Sequence, residues 1–256
     1  MTHMELYSHT FTLTAGDCDC ARRMPVTLLL RRIIEVATLH ANALHIGWAD
    51  LAPLNIGWVL SRVHIHFDRT PGPNEELTLQ TWVQDWSRLY SNRAFTLLDA
   101  QGVPVAHALT MWVCIDLTAR TAADIGVLHG ERFINSERTS PLPRLRKLPL
   151  TRPDAATLVG DHRFVYSDLD FNGHVNSARY AEAVLNLWPQ DTYLGYMPAD
   201  FVINYLHECR YGQRATVAAA ESLDADTGAM TAAVTLWTDG ATAAANAAVT
   251  FVPVRP

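Results

Sequence analysis

The chain carries one plan twice, and that repetition limits its fold more than any other feature. Asp17-Cys-Asp19 and Asp168-Leu-Asp170 each follow a short β-prone run and precede a helical pattern. A second pair of markers keeps the same order. Trp58 to His66 lies after the first helical pattern, and Phe201 to Cys209 lies after the second. The offsets are 151 and 143 residues, so the second copy is expected to be shorter between its markers. A chain of 256 residues has room for two such units, each of ordinary domain size. Its 49% apolar and 18% charged composition excludes a disordered chain and supports a buried core.

The first helix is expected after Pro25. Leu29, Ile33, Val36, His40 and Leu44 recur at three- and four-residue steps, and Gly47 closes the pattern. Leu30, Ile34, Ala37 and Ala41 widen its apolar stripe, as for a helix wrapped by a sheet rather than laid on a surface. The second helix is expected from Ser177 to Trp188, stopped by Pro189. Strands are predicted at 58–68, 77–86, 90–99 and 103–117, then at 201–210, 215–223, 230–238 and 243–252. Turns at Pro71-Gly-Pro73, Ala100-Gln-Gly102, Asp226-Thr-Gly228 and Asp239-Gly240 separate them. Alanine in the last hundred residues favours helix by propensity. Short segments bounded by turn signals override it.

The expected fold class is therefore α+β, with an antiparallel sheet around a central helix in each half. The expected domains are 1–130 and 161–256. The 131–160 stretch between them holds Pro141, Pro143, Pro149 and Pro153, which forbid a long helix. It reads as an extended linker. It is either a solvated connector or, through Arg132, Arg138, Arg144, Arg146, Lys147 and Arg152, a docking strip for an acidic partner.

Twenty basic residues against 26 acidic ones give a net charge of −6, which argues against bulk nucleic-acid binding. No apolar run has the length of a membrane span, and the first residues lack the pattern of an export signal. Cys18, Cys20, Cys114 and Cys209 form no C-x-x-C pair. They read as reduced thiols of a cytoplasmic protein. His64 and His66 lie on one strand face, but no further ligand has suitable spacing. No metal and no cofactor are expected.

The second copy carries the chemistry. On an extended segment Asp170, Asn172 and His174 would alternate to one side. Glu208 and Cys209, on a different strand, could close the other side of a pocket. The helix beginning near Asn176 would offer backbone N–H groups to a developing oxyanion. The first copy has Ala21 and Arg23 in place of Asn172 and His174. Neither accepts a proton at neutral pH, so one active site per chain is expected.

These residues carry a resemblance. Asp168-Leu-Asp170-Phe-Asn172-Gly-His174-Val-Asn176 is similar to the catalytic signature of the acyl-acyl-carrier-protein thioesterases of plants and bacteria. Phe201 to Cys209, ending His207-Glu208-Cys209, resembles that family's second catalytic segment. Trp58-Val-Leu-Ser-Arg62, Asp68-Arg69, Pro71 and Thr81-Trp82-Val83 resemble its first-half sheet. One departure is Ser177 where many members have Asn; it is read as a helix cap.

The resemblance implies two tandem hot-dog domains, with the acyl pocket in the first and catalysis in the second. It implies hydrolysis of a fatty acyl thioester on acyl carrier protein, with Asp170, Asn172, His174 and Glu208 as the catalytic set. Two mechanisms compete for the attack. Glu208, helped by His174, activates water, or Cys209 attacks as a thiolate. The carboxylate beside Cys209 would raise its pKa, which favours water. An acyl-CoA thioesterase and a non-catalytic acyl-binding hot-dog protein are the alternatives. Outer sheet edges could pair a second copy into a homodimer, and a monomer also fits.

Overall fold

A computed structural model describes residues 6–254. The chain divides into two compact units between Leu145 and Arg146, with Asp19–Ala21 counted in the second. This division falls inside the proline-rich stretch.

In the first unit, strand β1 (Tyr7–Thr12) precedes helix α1 (Val26–Ala43) and the short helix α2 (Trp48–Leu51). Strands β2 (Ile56–Phe67), β3 (Glu76–Trp86), β4 (Tyr90–Asp99) and β5 (Pro104–Asp116) follow. They form an antiparallel sheet in the order β1-β3-β4-β5-β2. Leu29, Leu30, Ile33, Val36 and Ala37 of α1 are all buried, as the wide apolar stripe predicted. The helix stops at Ala43, four residues before Gly47, and His45 turns the chain with φ 56°. Gly47 instead precedes α2.

In the second unit, β6 (Leu158–Arg163), α3 (Ser177–Leu185) and α4 (Gln190–Gly195) come first. Then come β7 (Tyr196–Tyr205), β8 (Arg214–Leu223), β9 (Met230–Thr238) and β10 (Thr242–Pro253). Their antiparallel order, β7-β10-β9-β8-β6, repeats the first sheet strand for strand. Helix α3 ends three residues before Trp188, and Pro189 opens α4 rather than ending α3. The alanine-rich segments are strands, with Ala218, Ala219, Ala244, Ala245 and Ala247 buried in the sheet. Burial has outweighed helix propensity there.

Hydrogen bonds establish the internal equivalence. The Leu13 N–H donates to the Glu75 carbonyl, and the Phe164 N–H donates to that of Gln213. Asn74 and Gly212 donate back to Leu13 and Phe164, and both have positive φ, 68° and 80°. The Glu75 and Gln213 side chains each accept from the N–H three residues before, 2.6 Å away in both cases. The bulge in β2 at Ser61 matches the bulge in β7 at Ala199. The offset at the second marker is therefore 138, not the 143 expected from sequence. Val63–Pro71, rather than Trp58–His66, corresponds to Phe201–Cys209. Aromatic and β-branched residues recur along both strands, which aligns Trp58 with Phe201 by residue type, but an odd slip exchanges the two faces and Phe201 is buried where Trp58 is only half-buried.

The proline-rich stretch is not a solvated connector. Leu142 and Leu145 pack against Trp82, Ala94 and Leu109 of the first sheet. Further along, the Asn204 and Asn246 amides donate to the carbonyls of Arg146, Leu148 and Pro149. The Thr151 N–H donates to Thr235 Oγ1, 2.8 Å away. Leu142, Leu145 and Leu148 are half-buried while Arg144, Arg146 and Lys147 are exposed. That three-residue spacing suits an extended, polyproline-like chain with one face on a sheet.

One polar pair lies inside the first unit. Arg93 of β4 is 6% exposed and His40 of α1 is fully buried. The guanidinium Nη1 meets His40 Nδ1, and Tyr7 stacks on the imidazole. Arginine only donates, so Nδ1 accepts. Burial lowers the Arg93 pKa to about 10, and the group stays charged at neutral pH.

Candidate active site

The segment 165–176 is a chain of turns, not an extended run. The Val165 N–H donates to Asp168 Oδ2 at 2.7 Å, closing a 3-10 turn over Tyr166–Asp168. Asp170 Oδ1 then accepts from Asn172 N–H at 2.8 Å and from His174 N–H at 3.2 Å. Gly173 takes φ 74°, a conformation that costs glycine little, and its N–H donates to the Asp170 carbonyl. Asp170, Asn172 and His174 thus do not line up on one side, as alternation had suggested. Asp170 turns inward to hold the loop, Asn172 is exposed and His174 is half-buried.

Asn176, not Ser177, is the cap of α3, with Oδ1 accepting from Ala178 N–H at 2.9 Å. Ser177 is the first helical residue. Of the expected oxyanion donors at this helix end, the Ala178 and Arg179 N–H groups are taken by Asn176, and backbone donors just before the helix are occupied too. Val175 N–H donates to the Cys209 carbonyl and Asn176 N–H to that of Asp168. Asp170 N–H donates to the His174 carbonyl at 2.8 Å. Asn172 leaves its side chain exposed on this loop.

Glu208 and Cys209 lie beyond the end of β7 at Tyr205, in a turn rather than on a strand. Leu206 and His207 N–H groups both donate to the Ala244 carbonyl, at 2.9 and 3.1 Å. His207 Nδ1 meets the Ala243 carbonyl at 2.8 Å. Cys209 is tied on both sides: its N–H donates to Tyr180 Oη at 2.6 Å, and its carbonyl accepts from Val175. From this braced turn Glu208 reaches His174, with Oε2 3.4 Å from Nε2. His174 is 18% exposed and Glu208 41% exposed at the side chain. One member is therefore sheltered and the other reachable by solvent.

Cys209 is 1% exposed. Burial pushes its thiol pKa up, the Tyr180 hydrogen bond opposes this, and the charge of Asp239 adds to the rise. The rise was expected from sequence, but burial is its main cause. Tyr180, read from sequence only as an inner-face residue of α3, lies in contact with this turn. Its hydroxyl also donates to the His207 carbonyl at 3.3 Å. Only the three-dimensional structure reveals that contact, because 27 residues separate the partners.

The counterpart loop in the first copy keeps the frame without the chemistry. Thr14 N–H donates to Asp17 Oδ2, Ala21 N–H donates to Asp19 Oδ1, and Arg22 takes φ 60° where Gly173 has 74°. Met24 N–H donates to the Pro71 carbonyl as Val175 does to Cys209. By this match Arg23 stands for His174, Ala21 for Asn172 and Thr70 for Glu208.

His66 and His107, paired across β2 and β5, flank Asp68 at 3.7 and 3.5 Å. Among the described residues, no group of three or more His, Cys, Asp or Glu side chains is arranged to hold a metal. Among the described residues no helix is long and apolar enough to cross a membrane.

The model of the acyl-ACP thioesterase N-terminal domain matches residues 4–127, and that of the C-terminal domain matches residues 153–251. The chain belongs to the acyl-ACP thioesterase family. The solved acyl-ACP thioesterase of Bacteroides thetaiotaomicron is 26% identical with a TM-score of 0.86, covering 98% of this chain and 100% of that one. The 12:0-ACP thioesterase of Umbellularia californica superposes with a TM-score of 0.88 at 17% identity, over 98% of this chain and 95% of that one. The fold is thus the tandem hot-dog of the acyl-ACP thioesterases. Among curated relatives, the oleoyl-acyl carrier protein thioesterase of Coriandrum sativum is 22% identical over 86% of this chain and 64% of its own length. Oleoyl-acyl carrier protein thioesterase 2 of Arabidopsis thaliana is 25% identical over 80% of this chain and 60% of its own. The chain therefore spans about three fifths of the length of these plant members.

Proposed function

We propose that this chain hydrolyses a fatty acyl thioester carried on acyl carrier protein, releasing the free fatty acid and the carrier thiol. The observation that carries this reading is the His174–Glu208 contact, 3.4 Å from Nε2 to Oε2, on a loop that also presents Asn172. Family membership supports the substrate class. The proposed roles are as follows. Glu208, with His174 beside it, takes a proton from water as the water oxygen bonds to the thioester carbon. Asn172 donates to the carbonyl oxygen as negative charge gathers there. His174 then delivers a proton to the departing sulfur as the carbon–sulfur bond breaks. Each proton-transfer group is typically worth about 10²–10⁴ in rate. Asp170 acts by holding the loop. Cys209, buried and with a raised thiol pKa, is poorly suited to attack as a thiolate, which supports water as the nucleophile.

In this reading the second unit (161–256) is catalytic. The first (1–130) supplies the acyl pocket, and 131–160 joins them. Arg23 and Thr70, at the counterpart positions, support a single active site per chain. The carrier, being acidic, would dock on arginine-rich surface, for which the exposed Arg144, Arg146 and Lys147 are candidates. The four free cysteines support a cytoplasmic location.

The test is turnover of matched acyl chains on carrier protein and on coenzyme A, over a salt series. Preference for the carrier, with KM rising as salt screens charge, is expected. Equal rates on both, with no salt response, would favour an acyl-CoA thioesterase. Acyl binding without thiol release would indicate a binding protein.

A further inference from the structure

We propose that Tyr180 is a positioning residue whose hydroxyl, fixed on α3, sets the Glu208 turn at the distance from which its carboxylate meets His174. The inference rests on the reading of His174 and Glu208 as the catalytic pair. The hydroxyl bonds to both residues that flank Glu208. It accepts from Cys209 N–H at 2.6 Å and donates to the His207 carbonyl at 3.3 Å. The ring is 4% exposed and lies between Phe164 and Tyr205, with centroids 5.5 and 5.6 Å away. It cannot follow the turn if the turn moves. Helix α3 also leads directly from the His174 loop through the Asn176 cap, so one rigid element carries both halves of the pair.

The internal repeat supplies an independent argument. Val26 and Ser177 open the two main helices, which places Leu29 at the position of Tyr180. The hydrogen bonds place Pro71 at that of Cys209. Leucine has no hydroxyl and proline has no N–H. The contact is thus absent from the unit whose loop has Arg23 and Thr70 in place of the pair. The Val175-to-Cys209 bond, by contrast, has its counterpart from Met24 to Pro71. What the two units share holds the fold. What only the second has holds Glu208.

The experiment is Tyr180→Phe in the full chain, which keeps the ring and removes the hydroxyl. We expect kcat to fall about 10- to 100-fold with KM nearly unchanged, as small misplacements of reacting groups do. Tyr205→Phe is the control. It also removes a hydroxyl bonded to α3, at the Ser177 carbonyl 3.0 Å away, but does not touch the 207–209 turn, and it should leave kcat in place. In a Glu208→Gln background Tyr180→Phe should add nothing, since the two act as a unit. Unchanged kcat in Tyr180→Phe, or an equal loss with and without Glu208, overturns the inference while leaving the catalytic pair intact. Full turnover by Glu208→Gln alone overturns the pair, and the inference with it.

Discussion

Cys209 and Pro71 occupy the same place in the two halves of this chain. The carbonyl of each accepts a backbone N–H from the loop before the main helix, at 2.9 Å from Val175 and 2.8 Å from Met24. Cys209 is thereby a backbone anchor whose thiol is buried. Its replacement by alanine should keep most of the activity, with kcat within about tenfold. Slow alkylation of Cys209 at pH 8 beside fast alkylation of the exposed Cys20 would show that the Cys209 thiol is sheltered from reagents. A loss of four decades in both Cys209→Ala and Cys209→Ser, with a mild Glu208→Gln, would make Cys209 the nucleophile.

The His174–Glu208 contact predicts that either His174→Ala or Glu208→Gln lowers kcat by about 10²–10⁴. The double variant should be little worse than the poorer single one. Steady-state rates on one acyl-carrier substrate, with circular dichroism to check folding, decide it. Multiplicative losses would mean that the two residues work apart.

Asp170 accepts two N–H groups through one oxygen. Asparagine keeps an acceptor there and alanine does not. Asp170→Asn should therefore retain far more activity than Asp170→Ala, which should also lose about 1–3 kcal/mol of stability. If the asparagine variant is as inactive as the alanine one, the negative charge itself is needed in the reaction.

In the first unit Arg69 bridges Glu75 at 2.8 Å and Asp99 at 3.2 Å. The Arg69 hydrogen bond, then the Gly72 N–H, hold the Glu75 carboxyl below its usual 4.5 in spite of partial burial. A carboxyl depressed in the folded state stabilises above its unfolded pKa, and that contribution fades as pH falls through the folded value. Glu75→Gln should lower the melting temperature at pH 7 and lower it less as the pH falls toward 3. An equal loss at both pH values would assign the effect to packing.

Gly130 lies against the Trp86 indole so closely that a Cβ would stand 2.1 Å from the ring. Trp86 is itself wedged between Trp58 and Phe133. Gly130→Ala should cost about 1–3 kcal/mol, read as a lower urea midpoint. An unchanged midpoint would mean that the 3-10 turn Gly130–Phe133 shifts freely.

Much of the architecture was legible because it rests on periodicity and punctuation. Leu29 to Leu44 announced the central helix, turn residues marked the strand ends, and Asp17 and Asp168 announced the repeat. The misreadings share one cause. Asn172 and His174 are two residues apart, which implies a common direction only in extended chain. Gly173, with positive φ, breaks that condition. Glu208 and Cys209 continue a strand-like run, yet β7 stops at Tyr205 because its partner strand β10 holds Leu206 and His207 through one carbonyl, that of Ala244. Such a stop depends on the neighbouring strand, which local sequence does not report.

Residue type and order alone determined two helix-and-sheet units, a second half with acid–base side chains, and a first half without them. Tertiary structure decided which of those side chains meet. His174 and Glu208 are 34 residues apart, and their 3.4 Å contact is framed by the Val175 N–H donating to Cys209, by Tyr180 Oη accepting from Cys209 and by the Ala244 carbonyl accepting from Leu206 and His207. Contacts of that kind come from packing across the fold, where distance along the chain carries no information about distance in space.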